Sequence, residues 1–249
     1  MPPLSSYGLL DRFLHGPARS PAPMQPALPL QGITLLAVED SRYASEALRL
    51  LCHRSGARLR RVDRLHAAYN HLRVYRPDVM LIDIGLPDGR GDTLIRDLTT
   101  MHPHQPIIIA ISGDPDVRAD ALGAGAHGFL EKPFPGLAAF QAEILRYLPD
   151  QADRAARAAA TSAQTTITPD RLALQDDLEH AAEMINANPN VVQRRYLSSF
   201  ISGIARSANY PALAAAASGL TDADGLDQLC RLLSNRINAA QSAFDVTAP

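Results

Sequence analysis

Short apolar runs alternate with amphipathic stretches between residues 33 and 148. A run such as Ile107-Ile108-Ile109-Ala110-Ile111 has no polar position to face water, so it predicts a strand covered on both faces. The amphipathic stretches carry apolar residues at helical spacing and predict the covering helices. Strands are predicted at 33–38, 58–62, 79–83, 107–111 and 128–130, and helices at 41–54, 65–74, 92–101, 116–122 and 137–148. These repeats predict an α/β domain with a doubly wound, five-stranded parallel sheet.

The residues after 168 show helical spacing and predict an all-α domain. Four helices are predicted at 168–185, 188–207, 210–218 and 221–244, each beginning at a threonine, asparagine or proline signal. Two apolar stripes suit the core of an antiparallel helical bundle. They comprise Leu172, Leu174, Leu178, Ala181, Ala182 and Ile185 in one helix, and Leu226, Leu229, Leu232, Leu233 and Ile237 in another.

Two further segments complete the predicted organisation. Residues 1–31 hold seven of the 19 prolines, which remove backbone donors and predict an irregular arm. Residues 149–167 are first alanine-rich and then rich in Thr, Ser and Gln, which predicts a helical extension followed by a linker. The predicted domains are therefore an arm at 1–31, an α/β domain at 32–148, a linker at 149–167 and a helical bundle at 168–245.

Net charge, cysteine spacing and hydropathy limit the classes of partner and the cellular compartment that we expect. The net charge of −2 gives no overall field that would attract nucleic acid or anionic lipid. Cys52 and Cys230 have neither metal-site nor redox-motif spacing, which suits a reducing compartment. No apolar run approaches the roughly 20 residues of a membrane span, and the N-terminus does not resemble a signal peptide. We therefore expect a cytoplasmic protein without membrane insertion.

Polar side chains stand where the predicted strands end. Glu39 and Asp40 follow the first strand, Asp83 ends the third, Ser112 follows the fourth and Lys132 follows the fifth. In a doubly wound sheet, ligands bind beyond the carboxyl ends of the strands. Lys132 is the only lysine among 24 basic residues, which indicates that its position requires a compact ammonium rather than a guanidinium.

Carboxylates that converge in this way predict a cation site. Their mutual repulsion raises their pKa values unless a cation lies among them. Oxygen donors without His or Cys indicate Mg²⁺. Asp40 and Asp83 are the predicted direct ligands, the backbone carbonyl of Gly85 is a third, and Glu39 is placed to hold a metal-bound water.

The same residues suit phosphoryl transfer, in which positioning and charge neutralisation supply most of the catalysis. With Lys132 on one phosphoryl oxygen and Ser112 with nearby backbone amides on another, Asp83 is predicted to attack in line and become an aspartyl phosphate. Asp83, Lys132 and Ser112 are therefore the predicted catalytic residues.

Residues 33–148 resemble the receiver domain of two-component response regulators. The matching motifs are Val38-Glu39-Asp40, Leu81-Ile82-Asp83-Ile84-Gly85-Leu86-Pro87-Asp88-Gly89, Ile111-Ser112-Gly113 and Lys132-Pro133-Phe134. The resemblance implies strand order 2-1-3-4-5, a cis proline after Lys132, and a phosphoryl donor that is a sensor histidine kinase or a phosphotransfer protein. It also implies a switch in which Ser112 moves inward and Phe129 follows. Such a domain is a signalling module, not an enzyme.

A second resemblance concerns Ser199-Phe200-Ile201-Ser202-Gly203, followed by Leu213 and Leu220. This segment is similar to the His-x-Leu-Lys-Gly signature of histidine-phosphotransfer domains. Ser199 stands where the phosphorylated histidine belongs, and Ser202 replaces the lysine. The resemblance implies a degenerate domain that cannot relay phosphate and acts as a docking bundle. The alternative is an unrelated four-helix bundle.

The output of the chain has three alternatives at this point. Residues 151–249 carry 8 arginines and 10 carboxylates, a net charge of −2, which favours an unknown protein partner over nucleic acid. A DNA-binding transcription factor would show a gel shift that weakens with salt. A phosphorelay would require His180, the only histidine in this region. The oligomeric state, including a homodimer, stays open.

Overall fold

Five parallel strands form the sheet of the first domain. A computed structural model describes residues 27–101, 105–161, 169–219 and 223–245. The strands are β1 (Thr34–Val38), β2 (Arg58–Val62), β3 (Val79–Asp83), β4 (Ile107–Ser112) and β5 (Gly128–Glu131). Their order is β2-β1-β3-β4-β5, and each neighbouring pair is parallel. The predicted doubly wound sheet of order 2-1-3-4-5 is confirmed.

Five helices connect and cover these strands. They are α1 (Arg42–Ser55), α2 (Leu65–Leu72), α3 (Gly91–Met101), α4 (Arg118–Gly123) and α5 (Leu137–Leu145). A two-stranded ribbon, Gly85–Leu86 with Gly89–Arg90, precedes α3, and the 3₁₀ turn Pro115–Val117 precedes α4. The helix predicted at 116–122 starts as this tighter turn, because the Asp114 carboxylate accepts the Asp116 N–H at 3.0 Å.

The helices divide between the two faces of the sheet. Side chains of α1 and α5, including Leu48, Leu51 and Phe140, pack on one face, and side chains of α2, α3 and α4 pack on the other. The central strands are buried on both sides, as their unbroken apolar runs require. Only β2, at the edge, exposes a row of arginines.

The α/β domain begins earlier than the predicted residue 32. Residues 1–26 of the predicted proline-rich arm lie outside the described residues. Leu30, which we placed in the arm, is fully buried in the core, and its N–H donates to the Ser55 carbonyl at 2.8 Å.

The described residues after 150 are mainly helical. The helices are α6 (Gln151–Thr161), α7 (Arg171–Asn186), α8 (Val191–Ser207), α9 (Pro211–Ser218) and α10 (Ala223–Asp245). The first two bundle helices begin a few residues later than predicted, because Asp170 and Asn190 supply the caps. In α8 this is a full capping box, in which the Asn190 and Gln193 side chains each accept the other residue's N–H.

The bundle has its own apolar core, formed by α7 to α10. Its buried members are Leu178, Ala181, Ile185, Leu197, Phe200, Ile201, Ile204, Ala205, Leu213, Ala217, Leu229 and Leu233. The prediction that Leu172 belongs to this core is wrong: it lies in the first turn of α7 and is 54% exposed. Within the described part of the chain, no helix is both long and apolar enough to cross a membrane.

Phe140 offers a test of the sheet core. It is fully buried beneath the sheet, so Phe140→Ala should lower the free energy of unfolding by about 3–5 kcal/mol through lost transfer energy and a cavity. Val74 is 88% exposed, and Val74→Ala should change it by less than about 0.5 kcal/mol. Urea unfolding followed by circular dichroism measures both, and equal losses would contradict this account of the core.

Candidate functional site

Four charged side chains meet at the carboxyl edge of the sheet. The Lys132 Nζ lies 2.8 Å from Glu39 Oε1 and 2.7 Å from Asp83 Oδ2. One oxygen from each of Glu39, Asp40 and Asp83 lies within 4.8 Å of the other two. Glu39, Asp83 and Lys132 are each at most 6% exposed. The structure thus brings together the acids and the ammonium that the strand ends predicted.

Burial and repulsion leave this group short of positive charge. Burial, followed by repulsion from the Asp83 carboxylate, raises the pKa of Asp40 to about 7 against the opposing effect of a hydrogen bond from Tyr196. Burial also raises the pKa of Glu39, against the attraction of Lys132. Burial disfavours the ammonium of Lys132, but the carboxylates of Asp83 and Glu39 raise its pKa overall, so it stays charged. One ammonium therefore faces three carboxylates.

The donor set fits a small divalent cation. Asp40 Oδ1 is buried, and it has no hydrogen-bond partner among the described residues. All side-chain donors of the cluster are carboxylate oxygens, which suit Mg²⁺ better than a transition metal. A cation would satisfy the buried oxygen and offset the repulsion between the acids.

Backbone groups around Asp83 hold its carboxylate in place. The Gly85 N–H donates to Asp83 Oδ1 at 3.1 Å, and Gly85, the predicted carbonyl ligand, lines the cavity beside the acids. Sequence reasoning missed Gly91. A Cβ at Gly91 would overlap the Asp83 carbonyl oxygen, so only glycine lets α3 start this close to the end of β3.

Ser112 and Phe129 occupy the neighbouring strand ends. The Ser112 hydroxyl accepts the Asp114 N–H at 3.0 Å, and the Ser112 carbonyl accepts the Lys132 N–H at 2.8 Å. Phe129 is 5% exposed and packs in the core, with the Arg118 guanidinium 5.6 Å from its ring centre. The peptide bond between Lys132 and Pro133 is cis, as the resemblance implied.

Helix α8 covers the acidic cluster. The Tyr196 hydroxyl donates to Asp40 Oδ2, and the Tyr196 ring stacks on Phe200 with centroids 5.6 Å apart. Ser199 lies one turn further along, and its Oγ would be 3.2 Å from a Cβ placed on Gly85. Sequence reasoning missed Tyr196, although it shares a helix face with Ser199.

A second contact joins α7 to the start of α1. The Asp177 carboxylate accepts the Ser41 hydroxyl at 2.8 Å and the N–H groups of Arg42 and Tyr43 at 2.9 and 3.0 Å. Asp177 is 3% exposed. Burial raises the pKa of its carboxyl, and the two N–H bonds and the Ser41 bond oppose that rise. This carboxylate completes the capping of α1 from the other domain.

A comparison with protein families matches residues 35–144 to the response regulator receiver domain. The KDP operon transcriptional regulatory protein KdpE of Escherichia coli K12 is 32% identical over 110 residues, which are 44% of this chain and 48% of KdpE. The transcriptional regulatory protein CreB of the same organism is 31% identical over 106 residues, 42% of this chain and 46% of CreB. The chain therefore spans about half the length of these relatives.

Solved structures include the receiver domain of a sensor histidine kinase from Pseudomonas aeruginosa PAO1, which has a magnesium ion coordinated in its active site cleft. It is 26% identical, with a TM-score of 0.43, and the match covers 47% of this chain and 97% of that domain.

Asp40 should make the stability of the protein depend on pH. Its folded-state pKa of about 7 lies above its usual 3.8, so the folded state binds the carboxyl proton more tightly than the unfolded state does. The protein therefore loses stability as the pH rises from about 4 to about 7. Asp40→Asn cannot titrate and should be the more stable protein at pH 8, by up to roughly 4 kcal/mol.

Urea unfolding between pH 5 and pH 8 in EDTA measures this difference. The exposed Asp116 provides a matched control, and Asp116→Asn should keep the wild-type pH dependence. Parallel curves for wild type and Asp40→Asn would contradict the electrostatic account of the site.

Proposed function

We propose that Asp83 accepts a phosphoryl group in a Mg²⁺-dependent reaction, as the match of residues 35–144 to the response regulator receiver domain suggests. The donor would be the phosphohistidine of a sensor histidine kinase or a phosphotransfer protein. The observation that carries this proposal is the buried contact of the Lys132 ammonium with Asp83 and Glu39. These two acids and Asp40 lie close enough together to hold a metal ion.

The proposed transfer makes one bond and breaks one. An oxygen of the Asp83 carboxylate attacks phosphorus, the bond from phosphorus to the donor's imidazole nitrogen breaks, and the imidazole leaves with the electron pair. The product is an acyl phosphate on Asp83. The Gly85 N–H, which donates to Asp83 Oδ1, orients the attacking carboxylate, and Lys132 is placed to donate to a phosphoryl oxygen.

Asp40, Asp83 and the Gly85 carbonyl would hold the cation, with Glu39 on a bound water. Bound Mg²⁺ supplies charge neutralisation for the phosphoryl oxygens. For the switch, Ser112 would exchange its bond from Asp114 for a bond to the phosphoryl group. Phe129 would then adjust the surface formed by α4, β5 and α5.

For the C-terminal bundle we propose a docking role through protein contacts, as a phosphotransfer-like domain without its histidine. Ser199, at the histidine position, lines the cavity beside Asp83, on the face of α8 that covers the receiver. This is the orientation that a phosphoryl carrier would need, which supports descent from such a domain. A serine there cannot act as a reversible phosphoryl carrier.

Two alternatives find less support. His180 is exposed on α7, where its ring meets Phe200 edge-on with centroids 6.2 Å apart, and it does not line the cavity beside Asp83. A DNA-binding output would need a basic face. Arg206 instead donates to the Gly113 carbonyl of the receiver, and Arg194 donates to the Pro189 carbonyl.

Phosphorylation can be tested without the cognate kinase. Wild type incubated with Mg²⁺ and a small phosphoryl donor such as phosphoramidate should gain one phosphoryl group by intact mass, and hydroxylamine should remove it. Asp83→Asn should gain none, because the amide cannot form the acyl phosphate, whereas the Asp116→Asn control should behave as wild type. Modification of Asp83→Asn to the wild-type level would reject Asp83 as the acceptor.

The output can be tested by affinity capture. Wild type and Asp83→Asn serve as baits, with and without Mg²⁺ and beryllofluoride as a phosphoryl mimic. We expect beryllofluoride to change the set of captured proteins for wild type only, because the mimic must bind Asp83. Identical sets under all conditions would argue against a phosphorylation-controlled output.

A further inference from the structure

The Tyr196 hydroxyl binds directly to one of the proposed cation ligands. It donates to Asp40 Oδ2, an oxygen of the carboxylate that we assign to the metal. Phe200 stacks on the ring and fixes its direction. A phenol proton thus supplies part of the positive charge that a cation would otherwise bring.

The docked bundle leaves little room above Asp83. The cavity enclosed by the acids, Lys132 and helix α8 has a volume of about 20 Å³. That is enough for one water molecule. A phosphoryl group does not fit this space, whereas Glu39 and Asp40 also line a wider groove of about 870 Å³ between α1, β2 and α7. Phosphorylation of Asp83 therefore requires α8 to move away.

Among the contacts outside the acidic cluster that hold α8 and α7 in this position, two can be altered by single substitutions. At the first, a Cβ placed on Gly113 would lie 2.9 Å from the Gly203 Cα, closer than packed atoms tolerate. At the second, the buried Asp177 accepts three hydrogen bonds from the start of α1. The neighbouring Asp176 makes only an exposed ion pair with Arg42 at 2.6 Å, which contributes little.

We propose that the C-terminal bundle is an intramolecular ligand of the phosphoacceptor pocket, and that its docking and cation binding exclude each other through Tyr196. This inference rests on the proposed function and adds its regulation. Because such coupling is reciprocal, a cation that enters must weaken docking by the same factor by which docking weakens cation binding.

The experiment titrates the 249-residue chain with Mg²⁺ by calorimetry and follows hydrogen exchange of α8 by mass spectrometry. Two variants are designed to undock the bundle without changing a proposed metal ligand. Gly113→Ala places a methyl group against the α8 backbone, and Asp177→Ala removes the α1 contact. Their matched controls are Gly203→Ala, whose added Cβ has no atom within 4 Å, and Asp176→Ala.

Both undocking variants should bind Mg²⁺ about tenfold more tightly than wild type and show faster exchange in α8, and both controls should match wild type. Tyr196→Phe should also bind Mg²⁺ about tenfold more tightly, since it removes one hydrogen bond to a charged group. In wild type, saturating Mg²⁺ should accelerate exchange in α8.

Equal Mg²⁺ affinity in all variants, with α8 exchange insensitive to Mg²⁺, would overturn the exclusion and leave the cation site and the proposed function intact. Wild-type affinity in Tyr196→Phe alone would overturn the role of Tyr196. If no variant binds Mg²⁺ or gains a phosphoryl group, including those with exposed α8, the proposed function fails, and this inference fails with it.

Discussion

The buried ammonium of Lys132 between Glu39 and Asp83 is the interaction on which the site depends. Each of these three groups would be costly to bury alone, and the two contacts at 2.8 and 2.7 Å make their burial tolerable. The sheet provides the geometry, because parallel strands bring their carboxyl ends to one edge. The charge balance is still incomplete, since Asp40 adds a third carboxylate. That deficit is what makes the pocket receptive to a cation, and what lets a phenol from another domain bind there.

Much of this arrangement could be predicted from the sequence because it follows from local patterns. Unbroken apolar runs identify doubly covered strands, and strand ends identify Asp83 and Lys132 as neighbours without knowledge of any contact. The errors arose where local patterns compete with tertiary packing. Leu172 has the spacing of a core residue but lies in the first turn of α7, exposed. Leu30 follows a proline-rich stretch but packs in the core of the sheet.

The contact between the domains could not be predicted, because docking depends on surfaces that are far apart in the sequence. A partial signal existed in α8: Tyr196, Ser199, Gly203 and Arg206 recur at intervals of three and four residues, as a single helix face requires. This pattern indicates a face with a partner but not which partner. No comparable pattern marks Asp177. Acids are common on helix surfaces, and only the structure shows that this one accepts hydrogen bonds from the start of α1.

The capping of α1 by Asp177 has a consequence for the energetics of the α/β domain itself. The first turn of α1 follows directly after Glu39 and Asp40, and its N–H groups at Arg42 and Tyr43 are satisfied by a residue of the bundle. When the bundle departs, those donors must turn to water, and the helix end loses an anion that favoured its dipole. Any ligand that requires the bundle to depart must therefore supply the free energy of this lost capping from its own binding.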